Sequence, residues 1–208
     1  MATPESGDSQ LDDLLSRLAP KEALASLFER YRDRLKAFLL KKLGTRLKRH
    51  VDLDDLAQEV YVRAELRLGR YLATRPIPAY AWLRRLARDV VIEQLRKPEG
   101  ADLSLDERDD VSTAALQHGL ILATDTSPTE RARFKELRKK LLEAMGRLTP
   151  VENELLCCRF LDQLPVHEIA QDFDLIPNTA TKKIISALRK LKRLLEAEGF
   201  DFSSLEPS

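Results

Sequence analysis

Six polar side chains, Asn178, Thr179, Thr181, Lys182, Lys183 and Ser186, fall within the stretch 178–186, beside an apolar stripe of Ile184, Ile185, Leu188, Leu191 and Leu195. Carboxamide, hydroxyl and ammonium groups can contact base edges and phosphates. They stand in the N-terminal part of a helix, the part that a recognition helix inserts into the major groove. Spacing alone leaves two readings open: the DNA-reading helix of a helix-turn-helix, or the solvated face of an ordinary helical hairpin. Bond-breaking chemistry has no comparable set. The sequence offers no nucleophile–base pair and no phosphate-cradling glycine loop, and His50, His118 and His167 lack ligand spacing with cysteines or carboxylates. The expectation is a protein that is not an enzyme, with no cofactor, no metal and no small-molecule substrate. Cys157 and Cys158 are neighbours that point in different directions on a helix, so a disulfide between them is geometrically poor. They read as small apolar residues of a reduced protein, with redox sensing as the alternative.

The elements that must position these groups are helical. Leu24, Leu27, Phe28, Tyr31, Leu35, Phe38 and Leu39 recur at i, i+3, i+4, i+7 and predict an amphipathic helix over 21–43, ended by Gly44. Leu53, Leu56, Val60, Ala64, Leu68 and Tyr71 form the stripe of a second helix, with Asp52 as its N-cap and Asp54 and Asp55 suited to its positive end. Pro76 and Pro78 then break the chain. A third helix runs over 79–96, with Trp82, Leu83, Leu86, Ala87, Val90, Val91 and Leu95 inward and Arg84, Arg85 and Arg88 largely away from that stripe. Further helices are expected over 128–146, 149–162, 166–173 and 177–196. Thr149, Pro150 and Glu152 have the spacing of a capping box. Ala170 is small where two helices would cross, Asp174-Leu175 supplies the tight turn, and Pro177 opens the last helix. No run of β-alternation appears. The expected fold class is all-α, two small helical bundles joined by a flexible acidic linker.

Charge supports that division. The 208 residues carry a net +1, but 20–97 hold 19 Lys/Arg against 10 Asp/Glu, 98–130 hold Arg108 against eight acids, and 131–196 hold 14 basic against 9 acidic residues. Two basic modules, 20–97 and 131–196, flank an acidic linker, 98–130, with an N-terminal extension, 1–19, and a C-terminal tail, 197–208. Segregated basic charge points to a polyanionic partner without saying that sequence is read. The tail, with Phe200, Phe202 and Leu205, reads as frayed, docking on the second module being the alternative. No apolar run approaches the roughly 18 residues of a membrane span. The polar, acidic start is unlike a secretory signal, so no membrane insertion and a cytoplasmic location are expected.

"VDLDDLAQEVYVRA" (51–64) followed by "AWLRRLARDVVIEQLRK" (81–97) resembles region 2 of bacterial sigma factors of the extracytoplasmic-function (ECF) class. Those factors carry an Asp-Leu-x-Gln-Glu-x-Phe-type segment and then an Ala-Trp-Leu-x-x-Ile-Ala-Arg-Asn-type helix. Residues 148–195, from "LTPVENELL" to "KLKRLL", resemble their region 4 with its helix-turn-helix. The resemblance implies a promoter-specificity subunit that binds core RNA polymerase and promoter DNA. Asp52, Asp55, Gln58 and Glu59 would dock on the coiled-coil of the largest polymerase subunit. The loop from Arg75 through Tyr80, with Arg84, Arg85, Arg88 and Asp89, would engage the −10 element as melted strand. Arginines and aromatic rings beside a basic surface suit single-strand capture. Asn178, Thr179, Thr181, Lys182, Lys183 and Ser186 would read the −35 element as duplex, the linker would run through polymerase channels, and an anti-sigma factor would wedge between the modules.

Trp82 matches the family tryptophan, but its spacing with Leu83 and Leu86 makes it core. Three departures stand out. Asp174 occupies a turn position where the family often has Gly, Ile176 cannot cap the last helix, and Asp89 replaces the usual Asn with a group that only accepts hydrogen bonds and repels phosphate. The N-terminal extension has no family counterpart. The alternative function is a stand-alone helix-turn-helix transcriptional regulator whose first module binds a ligand or dimerises.

Overall fold

A computed structural model of the protein describes residues 7–47, 51–96 and 128–200, and among them every regular element is a helix. The first module contains α1 (Gly7–Arg17), α2 (Pro20–Leu47), α3 (Leu53–Thr74) and α4 (Ala79–Arg96). The expected stripes of α2, α3 and α4 meet in one core: Leu24, Leu35, Leu39, Val60, Ala64, Leu83 and Val90 are all fully buried. Asp52 caps α3 by accepting the Asp54 N–H at 2.8 Å. The prolines after Thr74 force a sharp exit, and Arg75 supplies it in the left-handed region (φ 37°), its N–H donating to Tyr71 O at 2.7 Å. Tyr71 holds the following turn by donating its hydroxyl to Ile77 O at 3.1 Å. Its ring stacks on Trp82 at 4.1 Å with an interplanar angle of 9°. Trp82 is therefore core, as its spacing indicates.

Two features differ from expectation. Helix α2 passes through Gly44 and ends at Leu47. A lone glycine weakens a helix by about 1 kcal/mol but, unlike proline, imposes no steric stop. The N-terminal extension also contributes structure: α1 packs on α2 and α4, with Leu11 1 % exposed and Leu14 and Leu15 against the same core. Leu11, Leu14, Leu15 and Leu18 do follow i, i+3, i+4, i+7, but the stripe spans only two turns of an acidic stretch.

The second module contains α5 (Pro128–Gly146), α6 (Pro150–Leu156), a π-helical turn (Cys157–Leu161), α7 (Val166–Asp172) and α8 (Pro177–Ala197). The last three residues of the expected linker thus already belong to α5; the rest of that segment and the tail beyond Phe200 lie outside the described residues. Thr149 and Glu152 form the expected capping box: the Thr149 N–H donates to Glu152 Oε2 at 2.8 Å, and the Glu152 N–H donates to Thr149 Oγ1 at 3.3 Å. Lys190 of α8 reaches the same carboxylate at 2.7 Å. Thr149→Ala removes the cap acceptor and is expected to lower stability by about 1 kcal/mol in denaturant melts; no change would mean that the box is redundant with packing.

Asp174 takes the left-handed conformation (φ 53°) between α7 and α8, and the Leu175 N–H closes the turn on Ala170 O at 2.8 Å. Ile176 makes no side-chain cap and is 67 % exposed. At the far end, Gly199 (φ 79°) and the Phe200 N–H donating to Leu195 O at 3.0 Å make a Schellman stop. Among the described residues no helix is long and apolar enough to cross a membrane.

Candidate nucleic-acid interface

Helix α8 turns Ala180, Ile184 and Ala187 into the core and leaves Asn178, Thr181, Lys182, Lys183 and Ser186 exposed, with Thr179 half-buried. The Thr181 hydroxyl donates to Pro177 O at 3.0 Å, a local bond that a base edge would have to replace or share. Ile185 and Leu188, expected inward, are 42 % and 44 % exposed. The buried stripe of α8 is narrower than the apolar pattern suggests, and Leu188 lines a shallow apolar groove with Met145, Phe160 and Leu191.

On α3, Asp52, Asp55 and Gln58 are exposed, but Glu59 is half-buried and gripped by Arg63. Arg63 is 6 % exposed and also donates to Glu93, from Nη1 at 2.9 Å and from Nη2 at 2.5 Å. Burial works against the Arg63 charge, and Glu93 and Glu59 more than restore it, leaving it above its ordinary value. Val62 (45 % exposed) and Leu66 (77 % exposed) continue the face of Asp55 and Gln58 at helical spacing. Sequence reasoning missed both; the available signal was that they are large apolar residues out of phase with the buried stripe of α3.

The third set departs most from expectation. Arg75 is ion-paired to Asp12 of α1. Tyr80 is buried under the Arg34 guanidinium, 4.1 Å from its ring centroid, and packs on Tyr31 at 4.7 Å; burial pushes its hydroxyl up to about 12. Arg85 is half-buried. Arg84 and Arg88, expected on an open face, are only 2 % and 3 % exposed. Their partners come from the second module. Arg88 Nε donates to Asp162 Oδ1 at 3.0 Å and Nη2 to Glu154 Oε1 at 2.7 Å. Arg84 pairs with Asp172 and donates from Nη2 to Cys158 Sγ at 2.7 Å. Lys42 Nζ lies 3.2 Å from Asp162, and Arg34 Nη2 lies 2.6 Å from Asp172. Burial pushes the Asp162 carboxyl up, but Arg88, Lys42 and Arg84 together leave it below its usual range.

Asp89 is buried beside this seam, 2 % exposed, with both carboxylate oxygens lacking a hydrogen-bond partner among the described residues. Desolvation pushes it up to about 7, against the pull of Arg88, Arg85 and Arg67. Ligand atoms of Glu154, Cys158 and Asp162 lie within 4.8 Å of one another, a spacing that could hold a cation. Two guanidinium groups already fill it, so the arrangement does not fit a metal. Burial raises the Cys157 thiol to about 12 and the Cys158 thiol well above its ordinary value, which keeps both protonated and unreactive.

Residues 27–100 match the family Sigma-70 region 2, which makes the helical module around α3 and α4 a sigma-70 region 2 domain. The likeness extends across both modules. Over 193 residues, 92 % of this chain and 68 % of the relative, the chain is 25 % identical to the ECF RNA polymerase sigma factor BldN of Streptomyces coelicolor. Together the region 2 domain and this likeness over most of the chain support a sigma factor of the ECF class, a class that acts in transcription initiation with core RNA polymerase and promoter DNA as partners.

Proposed function

We propose that this sigma factor divides promoter recognition among three helix faces. The exposed face of α3, with Asp52, Asp55 and Gln58 extended by Val62 and Leu66, docks on core polymerase. Carboxylates give such a face orientation against a basic partner, and the two apolar side chains supply area to desolvate. Glu59 contributes mainly by holding Arg63. Helix α4 and the preceding loop, through Arg75, Tyr80, Arg84, Arg85, Arg88 and Asp89, form the −10 face once the second module, which covers Arg84 and Arg88 in this structure, is displaced. Helix α8 reads the −35 duplex through Asn178, Thr179, Thr181, Lys182, Lys183 and Ser186. The observation that carries the division is the orientation of α8: its inner face is committed to the core while its polar N-terminal half is presented outward behind the Asp174 turn. The work would be done in the cytoplasm, with no chemistry of its own, and an anti-sigma factor would act by holding the two modules.

Run-off transcription with reconstituted core polymerase tests this directly. Lys182→Ala with Lys183→Ala is expected to reduce initiation from a −35-dependent promoter about tenfold or more, with core binding intact, because two phosphate- or base-directed cations are lost. Loss of core binding instead would contradict the assignment of α8. If no initiation occurs while the protein alone footprints a duplex operator, the chain works as a stand-alone regulator.

A further inference from the structure

We propose that Glu154, Asp162 and Asp172 form an internal counter-ligand for the arginines of α4, so that closure of the two modules and capture of a polynucleotide strand by Arg84 and Arg88 exclude each other. This rests on the assignment of α4 as the strand-binding face. Across the seam the charges are sorted by module. The cations Arg34, Lys42, Arg84 and Arg88 come from α2 and α4, and the anions Glu154, Asp162 and Asp172 come from α6, the end of the π-helical turn and α7. All three carboxylates have side chains fully shielded from solvent. Arg88 meets two of them at once, from Nε at 3.0 Å and from Nη2 at 2.7 Å, the forked geometry in which a guanidinium also grips a phosphate.

The π-helical turn is what brings the acids into line. With α-helical winding, Asp162 would stand about 80° round the axis from Glu154. The slower winding of Cys157–Leu161, closed by the Asp162 N–H on Cys157 O at 2.9 Å, returns Asp162 to the face of Glu154. The irregularity stacks two buried carboxylates in front of one arginine, which marks the seam as a built contact. It is also suited to exchange. The gain from a buried ion pair is largely offset by desolvation, so a competing polyanion that supplies the same acceptors can replace it. Helix α8 keeps its polar residues exposed in the closed form, so the latch covers the strand-binding face and leaves the duplex-reading face open.

The test uses the full chain with Asp162→Asn and Asp172→Asn together, which leaves every arginine in place. Small-angle scattering is expected to show a larger radius of gyration than wild type. Affinity for a fluorescent single-stranded oligodeoxynucleotide at low salt is expected to rise about tenfold, the size of an ordinary coupling between sites. Expansion without any gain in strand binding would refute α4 as the strand-binding face and with it the exclusion. Strand affinity and dimensions both equal to wild type would overturn the latch while leaving that assignment standing. A measurement on the unaltered chain guards against a misfolded variant: by reciprocity, added oligonucleotide must speed hydrogen exchange along 154–162. Unchanged exchange at saturating oligonucleotide would also overturn the latch.

Discussion

Asp55→Arg combined with Leu66→Glu is expected to weaken binding to core RNA polymerase by about 100-fold or more, since two central contacts of an interface commonly carry a few kcal/mol between them. The structure makes this pair a clean probe. Both side chains are exposed, and Asp55 forms no ion pair among the described residues, so the fold loses little. The loss that remains is the favourable placement of an acid in the first turn of α3, about 0.5 kcal/mol. Glu59 would be a poor choice for the same experiment. Reversing its charge would set a cation against the buried Arg63, and a folding defect would pass for a docking defect. Competition against wild type for limiting core polymerase, with thermal melts alongside, separates the two effects. Equal competition by a fully folded variant would remove α3 as the docking face.

Asp89→Asn is expected to stabilise the protein on the order of 2–4 kcal/mol at pH 8, with the gain shrinking to a residual value near pH 4. The sign follows from which state holds the proton. In the unfolded chain Asp89 ionises around its ordinary value of 3.8; in the fold, burial keeps it protonated up to about 7. Between those limits the folded state binds more protons, so wild-type stability falls as pH rises and levels off above about 7. Asparagine does not titrate, and its amide meets the same space without a charge to desolvate. Urea titrations of both proteins from pH 4 to pH 8 read the difference. A gain independent of pH would show that the carboxyl does not titrate in the fold. Asparagine is also the residue that ECF factors usually carry at this place in the α4 motif, so the same variant shows whether the substitution costs stability in return for altered −10 recognition.

Much of the molecule was legible in the sequence, and for a common reason. Amphipathic periodicity, the Asp52 and Thr149 caps, the proline break after Thr74 and the turn at Asp174 each depend on residues within a few positions of one another. Where the local signal was short or mixed, it misled: α1 hides a two-turn leucine stripe in an acidic stretch, Gly44 stops nothing, and Ile185 and Leu188 extend the apolar pattern of α8 past the surface that is actually covered. Val62 and Leu66 were visible as apolar residues on the wrong side of α3, but only a defined core shows which side that is.

By itself, the sequence determined an all-helical chain whose motifs resemble those of ECF sigma factors. Local helix geometry and motif spacing are properties of contiguous residues and survive without knowledge of the fold. Only the tertiary structure decided the fate of Arg84 and Arg88. Off the apolar stripe of α4, they have the pattern of solvated arginines. They are buried because Glu154, Asp162 and Asp172, 66 to 88 positions away, supply the charge and the hydrogen bonds that make burial tolerable. A charged side chain can leave water only where counter-charge is brought to it, and that meeting is made by packing between modules.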